Sequence, residues 1–279
     1  MDKLQVFQDI HQTLTDGHLD FPANARVTLK LRDALDNPDC DIRLAVRLIE
    51  AEPILAARII ALANSVAYNP YGREISDLKS AATRLGFAAL RSLCMALLTR
   101  QLAAANLPDN LQKIGNQLWQ HTTHVAALSR VIARKLTGVD PEAALFSGLI
   151  HELPGFYLLS RAQDYPGILE GDGSEWVETG ERLLGEPLLL ALNVPEQIRT
   201  AIHLFWDGYL SMPAVSLGDT LLLADQLAPV PSPLRPTSGI GTNTGLEAHI
   251  EMAIGENLLT DIQQSSAEEI RSLAAAMAF

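Results

Sequence analysis

The sequence predicts an all-α protein. Apolar residues recur at i, i+3, i+4 and i+7 along nearly the whole chain, helix-start residues precede those runs, and no segment alternates with the period of two that a strand requires. Aromatics make up only 5% of the 279 residues, so Leu, Ala, Ile and Val must fill the core. The length suits one large domain or two lobes.

In order, Leu4, Phe7, Ile10, His11 and Leu14 predict a first amphipathic helix, stopped near Gly17. Ile42, Ala45, Val46 and Ile49 share one face of a second helix, with Asp41 as its N-cap. Pro53 opens the next, whose inner face is Leu55, Ile59 and Leu62. Asn69-Pro70-Tyr71-Gly72 is a loop. Ser76 caps a short helix ending at Gly86, and a longer helix follows with Leu90, Leu93, Cys94 and Leu97 inward. Leu107-Pro108 marks the boundary of a first lobe, residues 1–107.

A second lobe, 108–228, opens with a helix carrying Leu118, His121, Val125, Leu128 and Ile132. Asp140-Pro141-Glu142 starts another, with Leu145, Gly148, Leu149 and Glu152 on one face. Pro154 biases Leu153 away from helical geometry, so His151 and Glu152 fall in its last turn. Further helices are expected over 174–184, 187–192, 195–205 and 214–228. Residues 229–245 are rich in Pro, Ser, Thr and Gly and read as a linker or long loop. The extension over 229–279 ends in a helix with Ser266 and Glu269 spaced as a capping box.

A net charge of −12 and a pI near 5.0 disfavour broad nucleic-acid binding. Cys40 and Cys94 form no C-x-x-C pair and fit a reducing compartment. The polar N-terminus lacks a secretory apolar core, and no stretch approaches the ~18 consecutive apolar residues of a membrane span. The chain therefore reads as soluble and cytoplasmic, with neither nucleic acid nor membrane as partner.

The chemistry-bearing pair is His151-Glu152, with His121 lying 30 residues upstream. At 100° per residue His121 falls within the apolar arc of its helix and points inward, while His124 falls at the edge. With Asp225 as a fourth group, His121, His151 and Glu152 would suffice for one divalent ion with an open position. Such an ion acidifies a bound water for attack on phosphorus. The competing reading is a hydrogen-bonded polar network within the core.

At these residues the chain resembles the HD superfamily of metal-dependent phosphohydrolases, and more specifically its regulatory branch, the HDOD (HD-related output) domain. The resemblance rests on Leu118-Trp119-Gln120-His121 and on Phe146-Ser147-Gly148-Leu149-Ile150-His151-Glu152. Three first-lobe segments precede them in the order typical of HDOD proteins: Glu52-Pro53-Ile54-Leu55, Asn64-Ser65-Val66-Ala67-Tyr68 and Ala81-Ala82-Thr83-Arg84-Leu85-Gly86. It covers about residues 20–228 and implies a helical N-terminal lobe packed on an HD-like bundle.

The departures bear on function. Active HD hydrolases read His-Asp followed by Ile-Gly-Lys. Here Glu152 replaces the aspartate and Gly155 stands at the lysine position. Leu184-Gly185-Glu186-Pro187 lacks the histidine of the two-metal enzymes, and Phe205-Trp206 replaces their His-His pair. His203 sits two positions early and is not counted as a ligand. The resemblance thus implies a bacterial signal-transduction module without catalytic residues, which binds a partner protein or a small signalling molecule and needs no cofactor. The alternative is a phosphohydrolase using a single Fe, Mn, Zn or Ni ion on His121, His151, Glu152 and Asp225, with Arg161 or Lys135 substituting for the lysine only if the fold brings one of them near. Asn64-Ser65 reads as structural, satisfying backbone groups at a helix end. The sequence leaves the oligomeric state open.

Overall fold

A computed structural model describes residues 2–16, 25–103, 107–211, 213–235, 260–262 and 267–277. Among the described residues there is no strand. The helices are α1 (Lys3–Thr15), α2 (Ala25–Asp36), α3 (Ile42–Ile49), α4 (Pro53–Ala63), α5 (Leu78–Ala103), α6 (Asp109–Ile132), α7 (Pro141–Ile150), α8 (Leu153–Arg161), α9 (Glu181–Ala191), α10 (Glu196–Asp207), α11 (Leu217–Gln226) and α12 (Ala267–Met277). Single π-helical stretches, Ala133–Thr137 and Trp176–Gly180, extend α6 and lead into α9.

The local signals act much as expected. Asp41 accepts the Leu44 N–H at 2.8 Å and Asp140 accepts that of Glu142 at 2.9 Å, while Pro53 and Pro141 occupy first-turn positions. The cap of α5 is Asp77 rather than Ser76, accepting the Ser80 N–H at 2.8 Å. In α1 the inward residue of the first turn is Val6, whereas Leu4 is exposed. The expected stop at Gly17 and the Ser266 half of the capping box lie outside the described residues.

The two expected helices around Gly86 form one element, α5, kinked where Gly86 takes φ 75° and ψ 170°, a conformation open only to glycine. α5 packs on α2, α3 and α4 on one side and on α7 and α8 on the other. Its stretch Leu78–Leu102 is long and apolar enough to cross a membrane by length and composition, but 67% of its most apolar window is buried against these neighbours.

The expected break at Pro187 is also absent, because Pro187 lies inside α9. A proline removes the bond to the carbonyl four residues back, here that of Leu183. His11 of α1 brings Nδ1 to that same oxygen at 2.8 Å, so the orphaned acceptor gains a partner from another helix. α1, first in sequence, accordingly packs on α9.

α6 is the axis of the second half, packing on α7, α8, α11 and α12. A Cβ on Gly148 would stand 2.4 Å from the Ala126 Cα, so this glycine lets α7 lie directly on α6. That approach brings His121 of α6 to His151 at the end of α7. The break after α7 falls at His151-Glu152, not at Leu153: Leu153 and Pro154 begin α8, and Glu152 caps it with φ −94° and ψ 11°. Glu152 is thereby turned inward between two helices.

α12 bridges α6 and α4. Its Glu269 takes Arg130 Nη1 at 3.1 Å and Arg134 Nη1 and Nη2 at 2.8 Å each. Arg130 also donates to Glu142 at 3.1 Å and stacks 4.4 Å from the ring centroid of Tyr68, whose hydroxyl donates to Glu142. The Tyr68 of the Asn-Ser-x-x-Tyr segment is therefore part of a charge network that joins the loop after α4 to α6, α7 and α12. Asn64 has the structural role expected of it: its Nδ2 donates to the Ile60 and Ile75 carbonyls and its Oδ1 accepts the Ile75 N–H.

Candidate metal centre

His121, His151 and Glu152 each offer a ligand atom within 4.8 Å of the others, and they are 1%, 0% and 1% exposed. The two imidazoles meet through their Nε2 atoms at 3.2 Å. His121 Nε2 lies 3.2 Å from Asp225 Oδ1 and 3.8 Å from Glu152 Oε1. Asp225, on α11, joins the group through His121. Both Glu152 oxygens and Asp225 Oδ1 are buried without a hydrogen-bond partner.

The ring tautomers follow from the second nitrogens. His151 Nδ1 is 2.8 Å from the Gly148 carbonyl and His121 Nδ1 is 2.8 Å from that of Val230. A carbonyl can only accept, so both Nδ1 atoms carry hydrogen, and the Nε2 atoms are the ones left to bind something.

This donor set fits a divalent ion. Two ligands at ~2.0–2.1 Å from a tetrahedral ion stand ~3.3 Å apart, close to the two 3.2 Å separations around His121 Nε2. The three orphaned carboxylate oxygens supply the acceptors that buried groups otherwise find within the protein. Burial disfavours charge on His121, yet the Asp225 and Glu152 carboxylates raise its pKa overall. Burial dominates at His151 and pushes it down to about 4. The Asp225 carboxyl is lowered: burial opposes its charge, but His121 and Arg235 outweigh that.

Two residues that belong to no motif, Glu181 and Arg235, complete the surroundings. Glu181, 2% exposed, receives Arg235 Nη2 on both carboxylate oxygens at 3.0 Å. The Arg235 guanidinium lies 4.3 Å from the centroid of the Phe205 ring and feels the charges of Asp225 and Glu152 as well. Burial pushes Glu181 up, against the pull of Arg235. Three carboxyl groups thus face one guanidinium, a deficit that a doubly charged cation would balance. Arg161 and Lys135, the expected substitutes for the lysine, instead pair with Asp164 at 3.1 Å and Asp261 at 2.7 Å.

Arg235 arrives on a strap rather than a linker. Over 229–235 the chain is irregular but packed: Val230 holds His121, Pro231 O accepts from Gln117 Nε2 at 3.2 Å, and Leu234 is 7% exposed. A Cβ on Gly155 would come 2.6 Å from Leu234 Cδ1 and 2.9 Å from Glu152 Oε2. The room a side chain at 155 would need is occupied by the strap. Residues 236–245 of the expected linker lie outside the described residues.

Phe205 and Trp206 stand at the positions where the resemblance expects a His-His pair. Phe205 packs edge-on against His151 with ring centroids 5.3 Å apart. Trp206 covers Gly185, where an added Cβ would meet its ring at 2.4 Å. His203 stacks on Trp206 and bonds Glu186, so it takes no part in the centre.

The HDOD domain family model matches residues 21–187. The fold is similar to a candidate metal-dependent phosphohydrolase from Shewanella amazonensis, with a TM-score of 0.71 at 18% identity over 99% of both chains. It is also similar to an HDOD domain protein of unknown function from Geobacter sulfurreducens, with a TM-score of 0.61 at 18% identity over 99% of both chains. A candidate signal transduction protein from Marinobacter aquaeolei gives a TM-score of 0.55 at 20% identity, covering 92% of this chain and 59% of that one. At these identities the likeness speaks to fold alone. A search of curated proteins finds no match.

Proposed function

The chain belongs to the HDOD domain family, and on that premise we propose that it is a signal-transduction module whose HD centre is a closed one-ion site without turnover. His121, His151 and Glu152 hold the ion, with Asp225 beside His121. A divalent ion bound there supplies Lewis acidity. The chain's own residues withhold the rest of a hydrolytic site.

The observation that carries this reading is the strap. With Val230 on His121, Leu234 over Gly155 and Arg235 tied to Glu181, the three ligands are at most 1% exposed, and a phosphoester has no approach to them. Catalysis needs groups that meet the reacting phosphoryl as well as an ion. The cation nearest the centre is already neutralised by a buried carboxylate. The output of such a module is binding of a partner protein or a small signalling molecule, and the Marinobacter protein of similar fold carries a name of that kind.

Assays with bis(p-nitrophenyl) phosphate and p-nitrophenyl phosphate, on protein supplied in turn with Fe(II), Mn, Zn and Ni, test the absence of turnover. Rates indistinguishable from those of His121→Ala protein are expected. Metal-dependent hydrolysis lost in His121→Ala would replace this reading with the one-metal phosphohydrolase.

A further inference from the structure

Away from the histidine centre, a cavity of about 190 Å³ opens between α2, α5, α7 and the turn joining α9 to α10. Met95, Phe146, Leu192 and Ile198 give it an apolar wall, and Arg32 and Arg91 stand at its polar side. Asn193, at φ 51°, is the left-handed residue that closes α9, and it too lines the cavity.

Arg32 is the unusual group. It is 7% exposed, and Nε and Nη2 both engage the same oxygen of Asp33, a side chain 61% exposed to solvent. Nη1 is buried with no partner. A buried guanidinium whose hydrogen bonds go to one surface carboxylate, with Asp36 adding only a through-space charge, is poorly compensated and costly to keep. Of the cavity's own carboxylates, Glu142 is committed to Arg130 and Tyr68, and Asp140 caps the N-terminus of α7. Asp36 is 3.7 Å from Arg91 Nε, and burial raises its pKa.

We infer that this cavity binds a small anionic molecule, a single carboxylate or phosphate on an apolar body about one ring in size. An apolar cavity of ~150 Å³ takes up benzene, so the volume here admits a ring with one such group. Arg32 receives the anion, Arg91 adds long-range attraction, and Met95, Phe146 and Ile198 enclose the ring. α2 and α5 form one side of the cavity, and α7, which ends at His151, forms the other, so the ligand braces the two sides together. This deepens the signalling reading by giving it a ligand class; the binding itself does not depend on the histidine centre.

The test titrates the full chain with benzoate and phenyl phosphate, which separate carboxylate from phosphate preference, and with benzyl alcohol as the neutral analogue. The readout is the Met95 methyl resonance. At least one anion is expected to shift it and to bind about tenfold or more tightly than benzyl alcohol. Arg32→Gln should abolish that preference, and Arg91→Gln, at a half-buried position, should weaken anion binding a few-fold. Metal content should be the same in both variants, which keeps failure here distinct from failure of the histidine centre. The inference is overturned if neither anion moves the Met95 signal at about 10 mM, if anion and alcohol bind alike, or if folded Arg32→Gln keeps the preference.

Discussion

His121 and His151 face each other Nε2 to Nε2 at 3.2 Å while each Nδ1 points at a backbone carbonyl. Two imidazoles so arranged present lone pair to lone pair, which is repulsive unless a positive charge lies between them or one Nε2 is protonated. The raised pKa of His121 beside Asp225 offers the proton route, and the orphaned carboxylate oxygens offer the metal route. The proton leaves Glu152 without a hydrogen-bond partner on either oxygen. A metal ion satisfies both sets of groups at once.

His151→Ala should therefore lower stability by about 1–3 kcal/mol, because it leaves buried partners unpaired. It should also remove the effect of chelator. Thermal melts before and after chelator treatment measure both: wild type is expected to lose stability on chelation, and the variant to show no further loss.

Arg235→Leu leaves Glu181 as a buried carboxylate without its cation and should cost about 3–5 kcal/mol. Joining it to Glu181→Leu should recover most of that loss, since the pair is then replaced by apolar groups. Urea denaturation of the two single variants and the double variant gives the coupling. Additive losses would mean that the pair is not coupled in the folded chain.

His11→Ala should cost about 1 kcal/mol by leaving the Leu183 carbonyl unpartnered. In a Pro187→Ala background the new N–H bonds that carbonyl within α9, and the cost of losing His11 should fall close to zero. The same denaturation cycle reads this out. An unchanged His11 penalty in both backgrounds would show that its bond to Leu183 does not stabilise the helix.

Asp219 gives the clearest pH dependence. Burial disfavours its charge, but bonds from the Ser211 N–H and from the Ser216 hydroxyl and N–H hold the carboxyl at about 2, below its ordinary 3.8. A depressed folded-state pKa contributes stability that is full above the unfolded value and is lost as pH falls through the folded one. The contribution is about 2 kcal/mol at neutral pH. It should fade between about pH 4 and 2. Asp219→Asn should lower neutral stability and flatten that stretch of the acid profile.

Much of this was legible locally. The phase of Leu118, His121, Val125 and Leu128 put His121 inward, the Asp140-Pro141 start marked α7, and the adjacent His151-Glu152 pair, with Asp225 as a fourth group, stood out as a ligand set. What escaped depends on contacts between distant segments. Arg235 meets a carboxylate 54 residues away and Val230 meets His121 from 109 residues away, and the strap that carries them has no periodicity to reveal burial. Pro187 obeys the rule that proline removes a helical hydrogen bond. The rule misplaced a helix end because His11, 172 residues from Leu183, supplies the missing partner. The Gly148 contact follows the same logic: a glycine in a helical run says that something lies close, and only the fold says that it is α6.

The measurement that bears most directly on the centre is metal per chain, by elemental analysis of untagged protein purified without chelator. About one equivalent of Fe, Mn, Zn or Ni is expected, lost in both His121→Ala and His151→Ala. Folded wild-type protein with metal far below one equivalent, and no uptake on dialysis against these ions, would contradict the one-ion centre and leave a protonated histidine pair in its place.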